Sequence, residues 1–246
     1  SEQQRGLASV STLGVDLHAI PSCPMGSRPK RAGLSNVPVR PGVRHAIGHV
    51  CLRAKMALMR TPWQASHLAI GSLSVPSPVI LAPMCGVCDF PYIRMMRRYD
   101  PDSLVFHEMF SAVGLVNMHR RPDPPDLTIP PELRPLGYQL FGHEPHVMAE
   151  AARMLEAWGA AVIDLNLGCP VPKITGACDG SALLREPDLL DRILRALVAA
   201  VRTPVTIKMR LGYSDDHQNY LEIARLAEAA GVAAITVHGR TRSQMY

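Results

Sequence analysis

A strict alternation of short β-prone runs and longer helical segments limits how this chain can fold more than any other feature. Alternation of this kind is typical of a parallel sheet whose crossover helices cover it. The predicted strands are 78–83, 103–108, 135–140, 161–166, 204–209 and 233–238. The predicted helices between them lie near 91–98, 111–119, 145–158, 188–202 and 216–230.

Residues at the ends of these segments support the assignment. Pro145 and Pro187 stand where a helix should begin, and Asp188 adds a charge to a first helical turn. Gly159 and Gly231 stand where two helices should stop. Ahead of the first strand, the stretch "HLAIGSLSV" alternates and turns at Gly-Ser, which predicts a short hairpin.

Side-chain parity within the strands favours a closed barrel over an open sheet. In "AVIDLN" an apolar set alternates with Val162, Asp164 and Asn166, and in "VTIKM" an apolar set alternates with Thr206 and Lys208. An open sheet covered by helices on both faces would be apolar on both. The sequence therefore predicts a (β/α)8 TIM-type barrel with a polar mouth. Only six of its eight strands are found, which predicts a barrel truncated after the sixth strand.

The formal net charge of +5 belongs to the amino-terminal stretch. Residues 1–75 hold nine Lys/Arg against two Asp/Glu, whereas the remaining residues hold seventeen against nineteen. Residues 1–65 are rich in Pro, Arg, Ser and Gly without a sustained period, and are predicted to be a disordered extension or mistranslated upstream sequence. An organelle transit peptide is the alternative interpretation. The barrel is predicted to occupy 66–246.

Composition also narrows the class of protein. No apolar run reaches the roughly 18 residues of a membrane helix, and no secretory signal is visible at the amino terminus. Six cysteines without close regular spacing do not indicate a disulfide scaffold. We therefore expect a soluble, cytoplasmic protein with free thiols.

Polar residues converge at the predicted mouth. Gln139, Asn166, Lys208 and His238 all have inward parity at the carboxyl ends of strands, beside Cys169. Any one of them alone is more often a satisfied barrel residue. Four together need a common partner, because polar groups taken out of water must be paired.

A flavin ring would suit such a set of side chains. Its reduced form carries negative charge near N1 and O2, which Lys208 could stabilise. Gln139 suits the O4/N3 edge, and Pro83 with Met84 could pack against the ring. A Schiff-base role for Lys208, with its pKa lowered by Arg210, is the alternative.

Six motifs in order resemble the tRNA-dihydrouridine synthase family, closest to its bacterial branch. They are "LAPMCGVCDFPYIRMM", "YQLFGHEPHVMAEAA", "IDLNLGCPVPKI", "GSALL", "PVTIKMRLG" and "ITVHGRTRSQMY", between about His67 and Tyr246. The resemblance implies an FMN-containing (β/α)8 barrel followed by a helical tRNA-binding domain, which this chain would lack. It also implies reduction of the C5–C6 double bond of tRNA uridines, with NADPH as reductant and tRNA as partner. We expect a monomer.

The resemblance assigns roles residue by residue. Hydride delivery to uracil C6 leaves negative charge at C5 and O4, so C5 must receive a proton. Cys169 resembles the catalytic cysteine that supplies it; a small buried hydrophobe is the alternative. Asn166 and Lys173 are the substrate-side candidates. The cofactor-binding candidates are Ala82, Pro83, Met84, Gln139, Lys208, His238 and Arg240.

A uridine in folded tRNA must be extruded to reach such a mouth. Recognition would rest on shape and phosphate contacts. Arg240, Arg242 and Lys173 are candidates for the flavin phosphate or the RNA backbone, or for an ordinary solvated loop.

Three departures from the family pattern leave alternatives open. Cys85-x-x-Cys88 invites a metal reading with Cys169 and Cys178, but the second pair is spaced by eight residues, so we predict no metal. The stretch "ITGACDG" is less basic than in relatives. The loops that commonly hold phosphate in such barrels would follow the absent strands. An inactive truncated barrel and a dihydroorotate dehydrogenase-like FMN enzyme are therefore the alternative functions.

Overall fold

A short hairpin opens the part of the chain that the structure describes. The structure is a computed structural model that describes residues 67–124 and 126–245, so the predicted extension at 1–65 lies outside the described residues. Strands β1 (Leu68–Ile70) and β2 (Leu73–Val75) pair antiparallel around the predicted turn. The hairpin prediction is confirmed.

The next six strands form one parallel sheet in chain order. They are β3 (Ile80–Leu81), β4 (Leu104–Ser111), β5 (Leu136–Phe141), β6 (Val162–Leu167), β7 (Val205–Arg210) and β8 (Ala234–His238). All six predicted strands are confirmed. Right-handed crossovers between sequential strands place every connecting helix on the same face. The other face becomes the inside of a curled sheet, as in a truncated TIM-type barrel, and a doubly wound sheet is excluded.

Five longer helices match the predicted ones. The helices are α1 (Phe90–Tyr99), α2 (Ala112–His119), α3 (Pro145–Ala157), α4 (Pro172–Thr175), α5 (Pro187–Ala200) and α6 (Tyr220–Ala230). Pro145 and Pro187 begin helices as predicted, and Gly159 and Gly231 follow helix ends with positive φ. Helix α6 starts four residues later than predicted, because a turn closed by a bridge between Ser214 and His217 precedes it.

Three short elements were not predicted, because one helical turn carries no hydrophobic period. They are α4 and the 3-10 helices Pro131–Leu133 and Gly180–Arg185. No helix among residues 67–124 and 126–245 is both long and apolar enough to cross a membrane.

The two faces of the sheet carry different cores. The outer face packs Ile163, Leu165 and Ile207 against helical residues such as Leu155 and Ile193. The lower inner face packs its apolar residues against the hairpin in a separate cluster, made of Ile70, Val75, Leu104, Phe106 and Val162. The hairpin thus closes the amino-terminal end of the sheet, and the polar inward residues lie towards the other end.

A β-bulge in β4 changes which residues face inwards. The register between β4 and β5 shifts between Phe106 and Met109, so that Met109 pairs with Gln139. Beyond the bulge, the strand extends three residues past the predicted end at 108. His107, which lies within the bulge, contacts the rings of Phe110 and Tyr138.

Candidate active site

A buried chain of hydrogen bonds joins β5, β6 and β7 on the inner face. Nε2 of Gln139 donates to Oδ2 of Asp164 at 2.6 Å, and Nδ2 of Asn166 donates to Oε1 of Gln139 at 2.7 Å. The hydroxyl of Thr206 donates to Oδ1 of Asp164 at 2.6 Å. The inward parity predicted for these residues is therefore what the structure shows.

Asp164 is the acidic residue in this series of hydrogen bonds. Burial raises the pKa of Asp164 to about 6, against the opposing effect of the hydrogen bonds from Gln139 and Thr206 and of the nearby Lys208 ammonium. The carboxylate is therefore the predominant form at pH 7 and above.

Both sides of the Cys169 main chain are fixed. Oδ1 of Asn166 accepts from the backbone N–H groups of Gly168 at 3.1 Å and Cys169 at 2.9 Å. The carbonyl of Cys169 accepts from the hydroxyl of Ser181 at 2.8 Å and from its N–H at 3.2 Å. The thiol itself is half-buried. The thiol of Cys169 thus stands on a backbone held from β6 on one side and from the Gly180–Arg185 helix on the other.

Gly180 allows this second contact. Its φ of +59° lies in the left-handed region, and a Cβ there would stand 3.1 Å from the Cys169 carbonyl oxygen and 3.3 Å from its Cβ. A side chain at this position would therefore press on the cysteine loop while adopting a strained backbone.

Arg210 is a site residue to which the sequence analysis assigned only an influence on Lys208. It is 2% exposed, and its guanidinium donates to the carbonyls of Gly168 at 2.7 Å and Thr241 at 2.9 Å. It thus ties the loop of Cys169 to the segment after β8. The signal was present in the sequence, because Arg210 continues the inward parity of Thr206 and Lys208.

Strands β7 and β8 carry basic groups at the same end of the sheet as the cysteine loop, residues 168–171. Lys208 pairs in register with Asn166, and His238 pairs with Arg210. Burial lowers the pKa of Lys208, with Arg210 adding to the effect and Asp164 opposing it. Burial also lowers the pKa of His238, and the cations of Arg210, Lys208 and Arg240 lower it further. The charges of Lys208, Arg210 and Arg240 make the mouth positive, and that positive potential disfavours protonation of His238.

The chemistry of these donors fits a flavin mononucleotide. A bound anion would offset the positive charges of Lys208 and Arg240 and favour protonation of His238, and reduced flavins and phosphate are both anionic. Ala82, Pro83 and Met84 follow directly after β3, at the same end of the sheet, and Met84 is exposed. They provide apolar surface at that end of the sheet.

Two further predicted residues lie in the surrounding loops. Arg240 is exposed directly beyond β8. Lys173 falls within α4, and its side chain lies outside the described part of the structure.

Tyr213, which the sequence analysis missed, lies between two cations. The guanidinium of Arg185 stands 4.4 Å from the centre of its ring, and that of Arg242 stands 5.2 Å from it. No motif marks this residue, since Arg185 ends a 3-10 helix and Arg242 lies 57 positions further along the sequence.

The thiols do not form the metal set that Cys85-x-x-Cys88 could suggest. Cys88 is buried, and its thiol lies 3.8 Å from the carbonyl oxygen of Ala82, whereas Cys85 and Cys178 are exposed. Within residues 67–124 and 126–245, no three His, Cys, Asp or Glu side chains are grouped as metal ligands.

A cavity of about 460 Å³ opens at the opposite end of the sheet. It is lined by residues such as Leu73, Arg134 and Ala161, which lie in the hairpin or directly before strands. None of the predicted site residues lines it. Barrels of this type keep their chemistry at the carboxyl ends of the strands, so this cavity is not the candidate site.

Comparison with known proteins connects these motifs to a family. Residues 80–246 match the sequence model described as "Dihydrouridine synthase (Dus)". A relative from Synechocystis, "Probable tRNA-dihydrouridine synthase 1", is 44% identical over 76% of this chain and 52% of its own length. "Probable tRNA-dihydrouridine synthase" from Rhodobacter capsulatus is 43% identical over 73% of this chain and 55% of its own.

A third relative, "tRNA-dihydrouridine synthase B" from Pasteurella multocida, is 41% identical over 73% of this chain and 53% of its own length. The chain thus spans about half the length of the curated relatives it matches. Among solved structures, the carboxyl transferase domain of a Rhizobium etli pyruvate carboxylase matches with a TM-score of 0.33 and 15% identity, over 59% of this chain and 29% of that one.

Proposed function

Because the chain belongs to the dihydrouridine synthase family, we propose that this protein is a tRNA-dihydrouridine synthase that uses FMN and NADPH. Its reaction would reduce the C5–C6 double bond of a tRNA uridine. The observation that supports this most strongly is the fixed main chain of Cys169, beside Lys208 and His238 on neighbouring strands.

The cofactor would be held by the positive mouth. Lys208 and His238 would face the anionic parts of the group, with Arg240 at the rim. Gln139 has a second amide N–H besides the one that bonds Asp164, and that group would reach the polar edge of the ring. Ala82, Pro83 and Met84 would give the apolar contact. When bound and reduced, FMN would supply a hydride to the uracil ring, and NADPH would then reduce the oxidised flavin again.

Cys169 would supply the proton that completes the reduction. The thiol proton would pass to C5 of the uracil, and the resulting thiolate would be reprotonated from solvent. Asn166 and Lys173 would contribute on the substrate side.

The RNA would be bound by charge around the mouth. A uridine must leave its stack to reach Cys169. The cluster of Arg185, Tyr213 and Arg242 holds two guanidinium groups against one ring, which suits the phosphate backbone. With tRNA as its substrate, the protein would act in the cytoplasm, as a monomer.

The test is a purified reaction with defined components. The chain is incubated with FMN, NADPH and an unmodified tRNA transcript, and dihydrouridine is counted by mass spectrometry of the digested RNA. The proposal predicts dihydrouridine only when FMN, NADPH and RNA are all present. Orotate is the comparison substrate. Reduction of orotate instead of tRNA would indicate a dihydroorotate dehydrogenase-like enzyme, and neither reaction with no retained FMN would indicate an inactive barrel.

A further inference from the structure

The chain of hydrogen bonds from Asp164 to Cys169 has a fixed direction. An amide side chain has one accepting end and one donating end. The backbone N–H groups of Gly168 and Cys169 can only donate, so they require the oxygen of Asn166. The nitrogen of Asn166 must then face Gln139.

Gln139 transmits the same requirement to β5. Its oxygen accepts from Asn166, so its nitrogen is left to face Asp164. That nitrogen needs an acceptor, and an ionised carboxylate only accepts. The loop amides at one end and the Asp164 carboxylate at the other therefore require the same orientation of both side-chain amides. Each hydrogen bond in the series reinforces the next.

Burial makes the direction matter. Gln139 is 1% exposed, Asp164 4% and Asn166 8%, so water cannot readily replace a lost partner. A polar atom left without a hydrogen bond at such a site is costly. The one charged group facing Asp164 from β7 is Lys208, and the hydroxyl of Thr206 occupies its other oxygen.

We propose that Asp164 is a positioning residue for Cys169, acting through Gln139 and Asn166 to hold the backbone N–H groups of the cysteine loop. Neither Asp164 nor Gln139 touches the cysteine itself. The value of this arrangement for catalysis rests on the proposed function, in which the Cys169 thiol must stand at a defined place. The arrangement itself can be tested without activity.

The decisive experiment exchanges the side chains of Asp164 and Asn166, which are the two ends of the hydrogen-bonded relay Asp164–Gln139–Asn166. Asn166→Asp puts carboxylates on both sides of Gln139, which has only one amide nitrogen to offer, so one carboxylate must face its oxygen. Adding Asp164→Asn reverses the direction of the relay. The new amide at position 164 then donates to Gln139, Gln139 donates to the new carboxylate at 166, and that carboxylate still accepts from the loop. The double variant also keeps the net charge.

Asp164→Asn alone is the matched control. A side-chain amide at 164 can accept from Gln139 and donate to the hydroxyl of Thr206, so the relay keeps its direction. We expect this variant to hold the cysteine loop as the unchanged chain does.

The readout is hydrogen exchange at the amides of Gly168 and Cys169, measured by mass spectrometry, with the amides of β6 as internal reference. Asn166→Asp should exchange at least about tenfold faster at the loop, because repulsion from the oxygen of Gln139 displaces the new carboxylate and weakens its hydrogen bonds to the two amides. The double variant should return to the rate of the unchanged chain, while the strand amides stay protected in all three variants.

Three results would overturn the proposal. The first is loop exchange in Asn166→Asp that equals the unchanged chain. The second is a double variant that exchanges as fast as Asn166→Asp, or faster. The third is a double variant that fails to fold, because a relay satisfied in reverse should support the fold. Since neither flavin nor tRNA is used, failure here is distinguishable from failure of the proposed function.

Discussion

At the scale of single residues, the inner face of the sheet holds polar groups that the protein itself satisfies. Asp164, Gln139 and Asn166 bond one another, and Asn166 then holds Cys169. His107 is different, because its Nδ1 is buried and has no hydrogen-bond partner within the part of the chain that the structure describes. It is held by the rings of Phe110 and Tyr138 instead. Such a histidine is stable only while it is neutral.

His107 therefore predicts a loss of stability in mild acid. Burial lowers the pKa of folded His107 below its ordinary value of 6.5. As pH falls through 6.5, the unfolded chain takes up a proton that the folded chain does not, so stability falls by at most about 1.4 kcal/mol per pH unit from this group. Urea unfolding at pH 7.5 and 5.5 measures the loss.

The matched variants isolate this histidine. His107→Phe should lose less stability between the two pH values, because the substituted group cannot titrate. His146→Gln changes an exposed histidine and should lose as much as the unchanged chain. Equal losses in all three proteins would contradict the assignment.

At the scale of elements, regular features were predictable and interruptions were not. Sustained parity and helix-end prolines and glycines placed the six strands and five longer helices. The bulge in β4 was missed, since an inserted residue shows in a sequence only as a broken alternation, and it is what brings Met109 beside Asn166. Parity also placed Gln139, Asn166 and Lys208 on one face. The cluster around Tyr213 could not be predicted from the sequence, because it depends on how distant segments of the chain pack together.

The pairing of β4 with β5 depends on a close approach between Gly137 and Phe106. A Cβ at Gly137 would overlap the ring of Phe106. Gly137→Ala should therefore destabilise the fold by roughly 1–3 kcal/mol, the usual cost of overpacking. Phe106→Leu in the same chain should recover part of that loss, and a double-mutant cycle in urea measures the coupling. Strictly additive effects would contradict this contact.

At the scale of the whole molecule, the curled sheet separates two ends with different tasks. The hairpin closes one end with an apolar cluster. The carboxyl ends of the strands form the other, where burial and mutual repulsion hold back the protonation of Lys208 and His238. The polar end is therefore prepared for an anion, and the apolar end serves stability.

The lowered pKa of His238 predicts that the protein takes up protons when FMN binds. An anion at the mouth raises the lowered pKa of His238 towards and beyond its ordinary value, so binding should tighten as pH falls from 8.5 to 6.5. Calorimetry at pH 7 in two buffers of different ionisation enthalpy measures the proton uptake. His238→Gln should reduce it, and His146→Gln should leave it unchanged. Binding without proton uptake in the unchanged chain would contradict the prediction.

The role proposed for Cys169 is tested by comparing it with Cys178, the next cysteine along the chain, on the far side of α4. The measurement is the rate of dihydrouridine formation in an unmodified tRNA transcript, with FMN and NADPH, for the unchanged chain, Cys169→Ala and Cys178→Ala. Cys169→Ala should lose at least about a hundredfold in rate, the scale of a missing general acid. Cys178 is exposed, and its replacement should leave the rate within about twofold of the unchanged chain. A Cys169→Ala protein as fast as the unchanged chain would contradict the account.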